Sequence, residues 1–262
     1  MNRPPAIRID RGFTLVELLV IIVLIAALSA LAFQGLSAAR TQANKAVSAG
    51  NLRQLAAANL LYAADHLTYC PADLNGRNLT LWHGARPSIS TPFDPEKGLL
   101  SEYLGQSRQI GKCPQLEHMI NASAFNERNG GGYGYNDVYI GGNNNYDSQG
   151  NAIPNRPANV TSPQRTLMFA TTALAVSGGI QEYPFAEPFR EVDSNGRLGG
   201  SYQPSIHFRF NGRALIAWCD GHVSEELPTG KAETNFYGGS NKTSKIAFCG
   251  PAENNGWWNP KN

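Results

Sequence analysis

Hydrophobic positions fall into three regimes along the chain. Residues 1–12, MNRPPAIRIDRG, are polar, with Arg3, Arg8 and Arg11 against Asp10. The sequence then turns apolar at FTLVELLVIIVLIAALSALAFQGL, and from Phe13 to Ala39 Glu17 is the sole ionisable side chain. A helix of this length crosses a hydrocarbon layer of about 30 Å at roughly 1.5 Å per residue. From Arg40 to Asp65 there is no proline, alanine is abundant, and Leu52, Leu55, Asn59 and Tyr62 fall near one helical stripe with Ala56 and Ala63 beside it. The pattern predicts one rod of about 80 Å from Phe13 to Asp65, with Gly35 and Gly50 as its weakest points.

Beyond His66 the helical period stops and proline and glycine punctuate the chain. Gly98–Leu104 reads as one or two helical turns, and Tyr133–Ile140 and Arg165–Leu174 read as strands. The clearest unit is SIHFRF, Asn211-Gly212, RALIAWC, Asp220-Gly221 and HVS, in which Asn-Gly and Asp-Gly are strong signals for two-residue hairpin turns. They predict a three-strand antiparallel meander. Ile206, Phe208, Leu215 and Ala217 would share one face, and His207, Ile216, Trp218 and Val223 the other.

The fold class is therefore α+β: a long N-terminal helix, anchor plus rod, packed on a loop-rich head with a small antiparallel sheet. The segments are a leader at 1–12, a transmembrane and assembly helix at 13–36, its continuation at 37–66 and an exported head at 67–262. The net charge of +2 at pH 7, without a long Lys/Arg block, argues against a nucleic-acid track. Basic residues precede the apolar run, so by the positive-inside tendency the leader stays cytoplasmic and the head is exported.

An ordinary secretory signal does not explain Glu17, because a carboxylate inside an apolar span is costly and marks a function. Gly12-Phe13-Thr14-Leu15-Val16-Glu17-Leu18-Leu19-Val20 resembles the processing and assembly signature of type IV pilins and type II secretion pseudopilins. The resemblance implies a pilin-like fold, cleavage after Gly12 by a prepilin peptidase, and methylation of the new amine on Phe13. It also implies that Glu17, fifth in the mature chain, helps neutralise the N-terminal amine of a neighbouring subunit. An amine and a carboxylate brought together in a helix bundle relieve each other's desolvation. The implied partners are the peptidase/methyltransferase, other pilin-like subunits and the inner-membrane assembly platform. The implied location is the bacterial inner membrane with a periplasmic head, and then a periplasmic or surface filament.

TSPQRTLMFA, GYGYN, KCPQ and ALIAWCDGHV are similar to heads of planctomycete pseudopilin-like proteins marked by a His-x9-Asp-Gly pattern. Here Phe210 occupies the position of that histidine and His207 lies three residues earlier, so no role transfers to it. Nor does the expected register join His207, Asp220 and His222 into a metal or catalytic cluster: the two histidines fall on opposite faces and Asp220 is used by a turn.

Cys70, Cys113, Cys219 and Cys249 all lie in the exported part, where disulfides are expected. Of three possible pairings, Cys70–Cys113 and Cys219–Cys249 are favoured; the alternative is four buried thiols. No CxxC occurs, which argues against a redox motif or zinc ribbon. Two oxygen-rich stretches, residues 141–151 and 192–200, offer Asp147, Asp193 and Asn195 as calcium candidates, although such Asn/Gly/Asp clusters commonly just form turns. Trp257 and Trp258, with Phe236 and Tyr237, are expected to pack the tail onto the head rather than stack on sugars.

These features favour a structural subunit of a pseudopilus or type IV pilus-like filament. The competing reading is a membrane-tethered binding protein for a ligand such as polysaccharide, exported by the same route. No Ser-His-Asp, paired-carboxylate or metal spacing supports an enzyme.

Overall fold

The computed structural model describes residues 13–121, 130–230 and 235–262. The chain divides into two compact units, Met1–Ala43 and Asn44–Asn262, with the boundary inside the long helix α1, Leu15–His66. The helix runs through Gly35 and Gly50 without a break, as its alanine-rich, proline-free sequence predicts.

Within the second unit, α1 buries Ser48, Leu52, Leu55, Ala56, Asn59 and Ala63, a spacing that keeps one stripe facing inward. The stripe packs on the main sheet, formed by β1 (Tyr133–Tyr135), β2 (Leu167–Thr171), β4 (Ala214–Trp218) and β5 (Val223–Glu226) in the order β5-β4-β2-β1, all antiparallel. Tyr135, Phe169, Ala217 and Val223 lie in register across the four strands and face the helix. Ala170 and Ile216 face the other way, into a second core with Phe208, Trp218 and Trp258. The sheet is thus covered on both faces, which explains why β2 and β4 are buried along their whole length.

A second sheet pairs β3 (Ile206–His207) with β6 (Ile246–Cys249), and β6 with Pro228–Thr229. The expected meander is corrected here. The first turn forms as predicted: Asn211 and Gly212 both take positive φ, 53° and 80°, and Phe210 and Arg213 exchange backbone hydrogen bonds. The strands then diverge. Thr171 Oγ1 donates to His207 O at 3.2 Å and accepts from Leu215 N at 3.1 Å, so its side chain occupies the space between β3 and β4. β3 pairs with β6 instead, and Ile206 and Phe208 join the core of Ile216 and Trp218 rather than that of Leu215 and Ala217.

The second turn forms one residue wider than expected. Gly221 N donates to Trp218 O and Trp218 N to His222 O, leaving a three-residue loop closed by Gly221 at φ 91°. Ala217 therefore faces Val223, which moves to the helix side with it. The expected strand after Tyr133 also ends early, at Tyr135. Asn136 O accepts from Ile140 and Gly141, and its side-chain amide donates to Leu167 O and Trp258 O, so the chain turns. Residues 98–104 carry the single 3-10 turn Ser101–Tyr103.

Candidate functional site

The residues of the N-terminal signature sit at the start of α1. Gly12 lies outside the described residues. Thr14 is the N-cap: its hydroxyl accepts from Glu17 N at 3.2 Å and donates to Glu17 Oε2 at 2.8 Å, while Thr14 N donates to the same oxygen at 2.9 Å. This reciprocal capping box satisfies amides that the first turn would otherwise leave open, and it holds the Glu17 carboxylate over the positive end of the helix. Phe13 precedes Thr14, the residue to which this carboxylate is bonded. Thr14 is a capping residue that the sequence reading passed over, although the spacing Thr14-x-x-Glu17 signals the motif.

From Phe13 to Ala30 every residue is exposed, Phe13 at 75 %, Leu15 at 81 % and Leu28 at 67 %. Apolar side chains thus cover this segment all round, which a helix does when its partner is lipid or other helices. Among the described residues no helix is long and apolar enough to cross a membrane. The side chains of residues 31–35, which extend the apolar run, lie outside that set.

In the head, the disulfide expectation is corrected: Cys70, Cys113, Cys219 and Cys249 are all free and buried. Cys113 Sγ accepts from Ser48 Oγ at 3.2 Å, and Cys70 Sγ is turned to Pro71 O at 3.3 Å. Cys219 belongs to the helix-side core and Cys249 to the core on the other face, so a bridge between them would have to cross the sheet. Burial pushes the Cys219 thiol up to about 12 and raises Cys70 and Cys249 well above the usual thiol range, which keeps them protonated.

The calcium candidates act as turn residues. Asp147 Oδ1 accepts from Gln149 N and Asn151 N, and Asp193 Oδ1 from Asn195 N and Arg197 N. Among the described residues no group of three His, Cys, Asp or Glu side chains is placed to hold a metal. Asp193 and Asn195 do border an open cleft of about 890 Å³, lined also by Asn144, Asn145, Asn155 and Arg156, whereas Asp147 does not.

His207 is fully buried, while His222 is exposed and bonds Asp220 through Nδ1 at 2.6 Å, so the three residues do not form one site. The His222 ring stacks on Trp218, against which Trp257 packs edge-on. Trp258 is buried and donates to Ala186 O. The tryptophan pair therefore packs the tail onto the head as expected, whereas Phe236 and Tyr237 stay exposed.

Residues 7–33 match the family described as Prokaryotic N-terminal methylation motif. No curated protein and no solved structure matches the chain. The match covers the Gly12–Phe13 junction and most of the apolar run, which supports a prepilin-type segment here and extends no further into the head.

Proposed function

We propose that the chain is a structural subunit of a type II secretion pseudopilus or type IV pilus-like filament. A prepilin peptidase cuts between Gly12 and Phe13, and the Phe13 amine is methylated. Residues 13–36 then hold the subunit in the inner membrane with the head in the periplasm, until assembly transfers the helix into the filament core. The observation that carries this reading is the methylation motif at 7–33 on a helix whose apolar surface is exposed all round, with Glu17 at its first turn. Such a surface needs a partner along its whole length, and lipid followed by packed copies of the same helix supplies one.

Mass spectrometry of the mature N terminus tests the processing: the expected product starts at methylated Phe13, and an intact Met1 or a cut near Ala30 refutes it. Glu17→Ala tests assembly, with insertion and cleavage retained and incorporation into filaments lost. A tethered binding protein is the second reading, favoured by the amide-lined cleft of the head. That reading predicts indifference to Glu17→Ala and saturable binding of a polysaccharide to the head.

A further inference from the structure

The cleft of about 890 Å³ in the head is built from four segments, residues 138–145, 153–161, 192–196 and 254–261. Its size falls within the range of ligand-binding clefts, roughly 300–1,000 Å³. Hydrogen bonds tie every segment to at least one other. Ile153 N donates to Asn145 O at 2.7 Å and Asn155 N to Ile140 O at 2.9 Å, which joins the first segment to the second. Asn144 Nδ2 donates to Val192 O at 2.9 Å and joins the first to the third. Thr161 donates to Pro260 O through both its backbone N and its Oγ1, at 2.9 and 2.8 Å, and joins the second to the fourth. Asn255 closes the ring. Its Nδ2 donates to the Tyr139 hydroxyl at 3.0 Å and to Arg190 O at 2.9 Å, and its Oδ1 accepts from Arg190 N at 2.8 Å. The shape of the cleft is therefore set before any ligand arrives, which lowers the ordering cost of binding.

The polar groups not spent on this framework belong to a few side chains that line the cleft. Among the described residues, the Asn145 and Asn195 side-chain amides make no hydrogen bond, and Asn144 keeps its side-chain oxygen unused. Arg156 and Lys261 are exposed and form no ion pair among the described residues. The one acidic residue in the lining, Asp193, already accepts from Asn195 N and Arg197 N through Oδ1. Ile153, 45 % exposed, adds an apolar strip with Pro154.

A primary amide presents two donors and two acceptor sites in one plane, a match for neighbouring hydroxyls on a sugar ring, while an aliphatic strip suits the C–H face of that ring. A free guanidinium adds a planar fork that fits a carboxylate. We propose that this cleft binds an acidic polysaccharide, with sugar hydroxyls held by Asn144, Asn145 and Asn195 and the carboxylates of uronate units held by Arg156 and Lys261. The proposal rests on the reading of the head as a glycan-binding module, and it holds whether or not the chain also assembles into a filament.

The test is calorimetric titration of the full chain, in detergent micelles at neutral pH, with oligogalacturonate and with its fully methyl-esterified form, which keeps the sugar backbone and lacks the charge. The variants are Arg156→Gln/Lys261→Gln and Asn145→Ala/Asn195→Ala, all at exposed positions where the melting temperature is expected to stay that of the wild type. The expected result is saturable binding of the acid, weakened about tenfold or more by esterification and by the charge variant. The amide variant weakens both ligands. An ester that binds the wild type as tightly as the acid, or more tightly, overturns the acidic class and leaves a glycan-binding head standing. Failure of both ligands to bind the wild type overturns the proposal and the binding-module reading together. Binding of the acid that neither variant weakens overturns the proposal by placing the contact outside the cleft.

Discussion

Asn59 joins the helix to the head through a closed polar ring, and its removal is the sharpest test of how the rod is held. The residue is fully buried on the inward stripe of α1. Its amide Nδ2 donates to the Tyr135 hydroxyl at 2.9 Å, that hydroxyl donates to Cys70 O at 2.9 Å, and Cys70 N donates to Asn59 Oδ1 at 2.8 Å. Asn59→Ala leaves the buried Cys70 N–H without an acceptor, a loss of about 1–3 kcal/mol, and opens a void that adds to it. Tyr135 keeps Cys70 O as its acceptor, so the hydroxyl itself is not orphaned. The expected total is about 2–4 kcal/mol, or a fall in melting temperature of about 5–15 °C for a unit of this size. Tyr135→Phe keeps the ring stacked on Phe169, 4.7 Å between centroids, but strips Asn59 and Cys70 O of one partner each. It is expected to cost about 1–2 kcal/mol. Because the two side chains share one ring of bonds, the double variant should lose about 1 kcal/mol less than the sum of the singles. Guanidinium denaturation of the compact unit Asn44–Asn262 measures all three. An Asn59→Ala cost below about 0.5 kcal/mol, or strict additivity, would show that apolar packing alone docks the helix.

Four further outcomes follow from the local surroundings of particular residues. Gly50→Ala should raise stability by about 0.5–1 kcal/mol in the same denaturation assay, because Gly50 lies inside α1 and an added Cβ meets nothing within 4 Å. The contrasting Gly134→Ala should destabilise, since its Cβ would lie 2.5 Å from Thr172 Cγ2 and 2.6 Å from the Phe185 carbonyl. His83 is buried against Trp82 and Phe93 with both ring nitrogens unpartnered, and burial lowers its pKa from 6.5 to about 3. The unfolded chain therefore takes up a proton that the folded one excludes, and this residue's contribution is lost as pH falls from about 6.5 towards 3, at about 1.4 kcal/mol per pH unit. His83→Phe should flatten that part of the stability–pH profile without destabilising at pH 7. Thr14→Val removes the hydroxyl of the capping box, and amide exchange at Leu15–Glu17 in micelles should quicken, whereas Thr14→Ser should restore protection.

What could be read from the sequence divides by the distance over which each feature is encoded. α1 was legible because its determinants, an absent proline and an inward stripe at helical spacing, lie within the segment itself. The Asn211-Gly212 turn was legible for the same reason. The partner of β3 was not: it lies about 40 residues downstream in β6, and the nearer strand is displaced by a single threonine hydroxyl. The one-residue error at Asp220-Gly221 has a comparable origin. A glycine at positive φ serves either a two-residue turn or a three-residue loop, and the choice between them reverses which face Val223 takes. The free cysteines were hidden because pairing depends on which face of the sheet each thiol occupies, a property that spacing along the chain does not carry.

The acidic residues divide in the same way. The N-terminal segment is a linear signal. Its determinants are compressed into neighbouring residues, and Thr14 and Glu17 satisfy each other three positions apart. Asp137 and Glu187 lie 50 residues apart and are both buried only in the folded head. The capping box is thus a local code, whereas the burial of the two carboxylates arises only when the head folds.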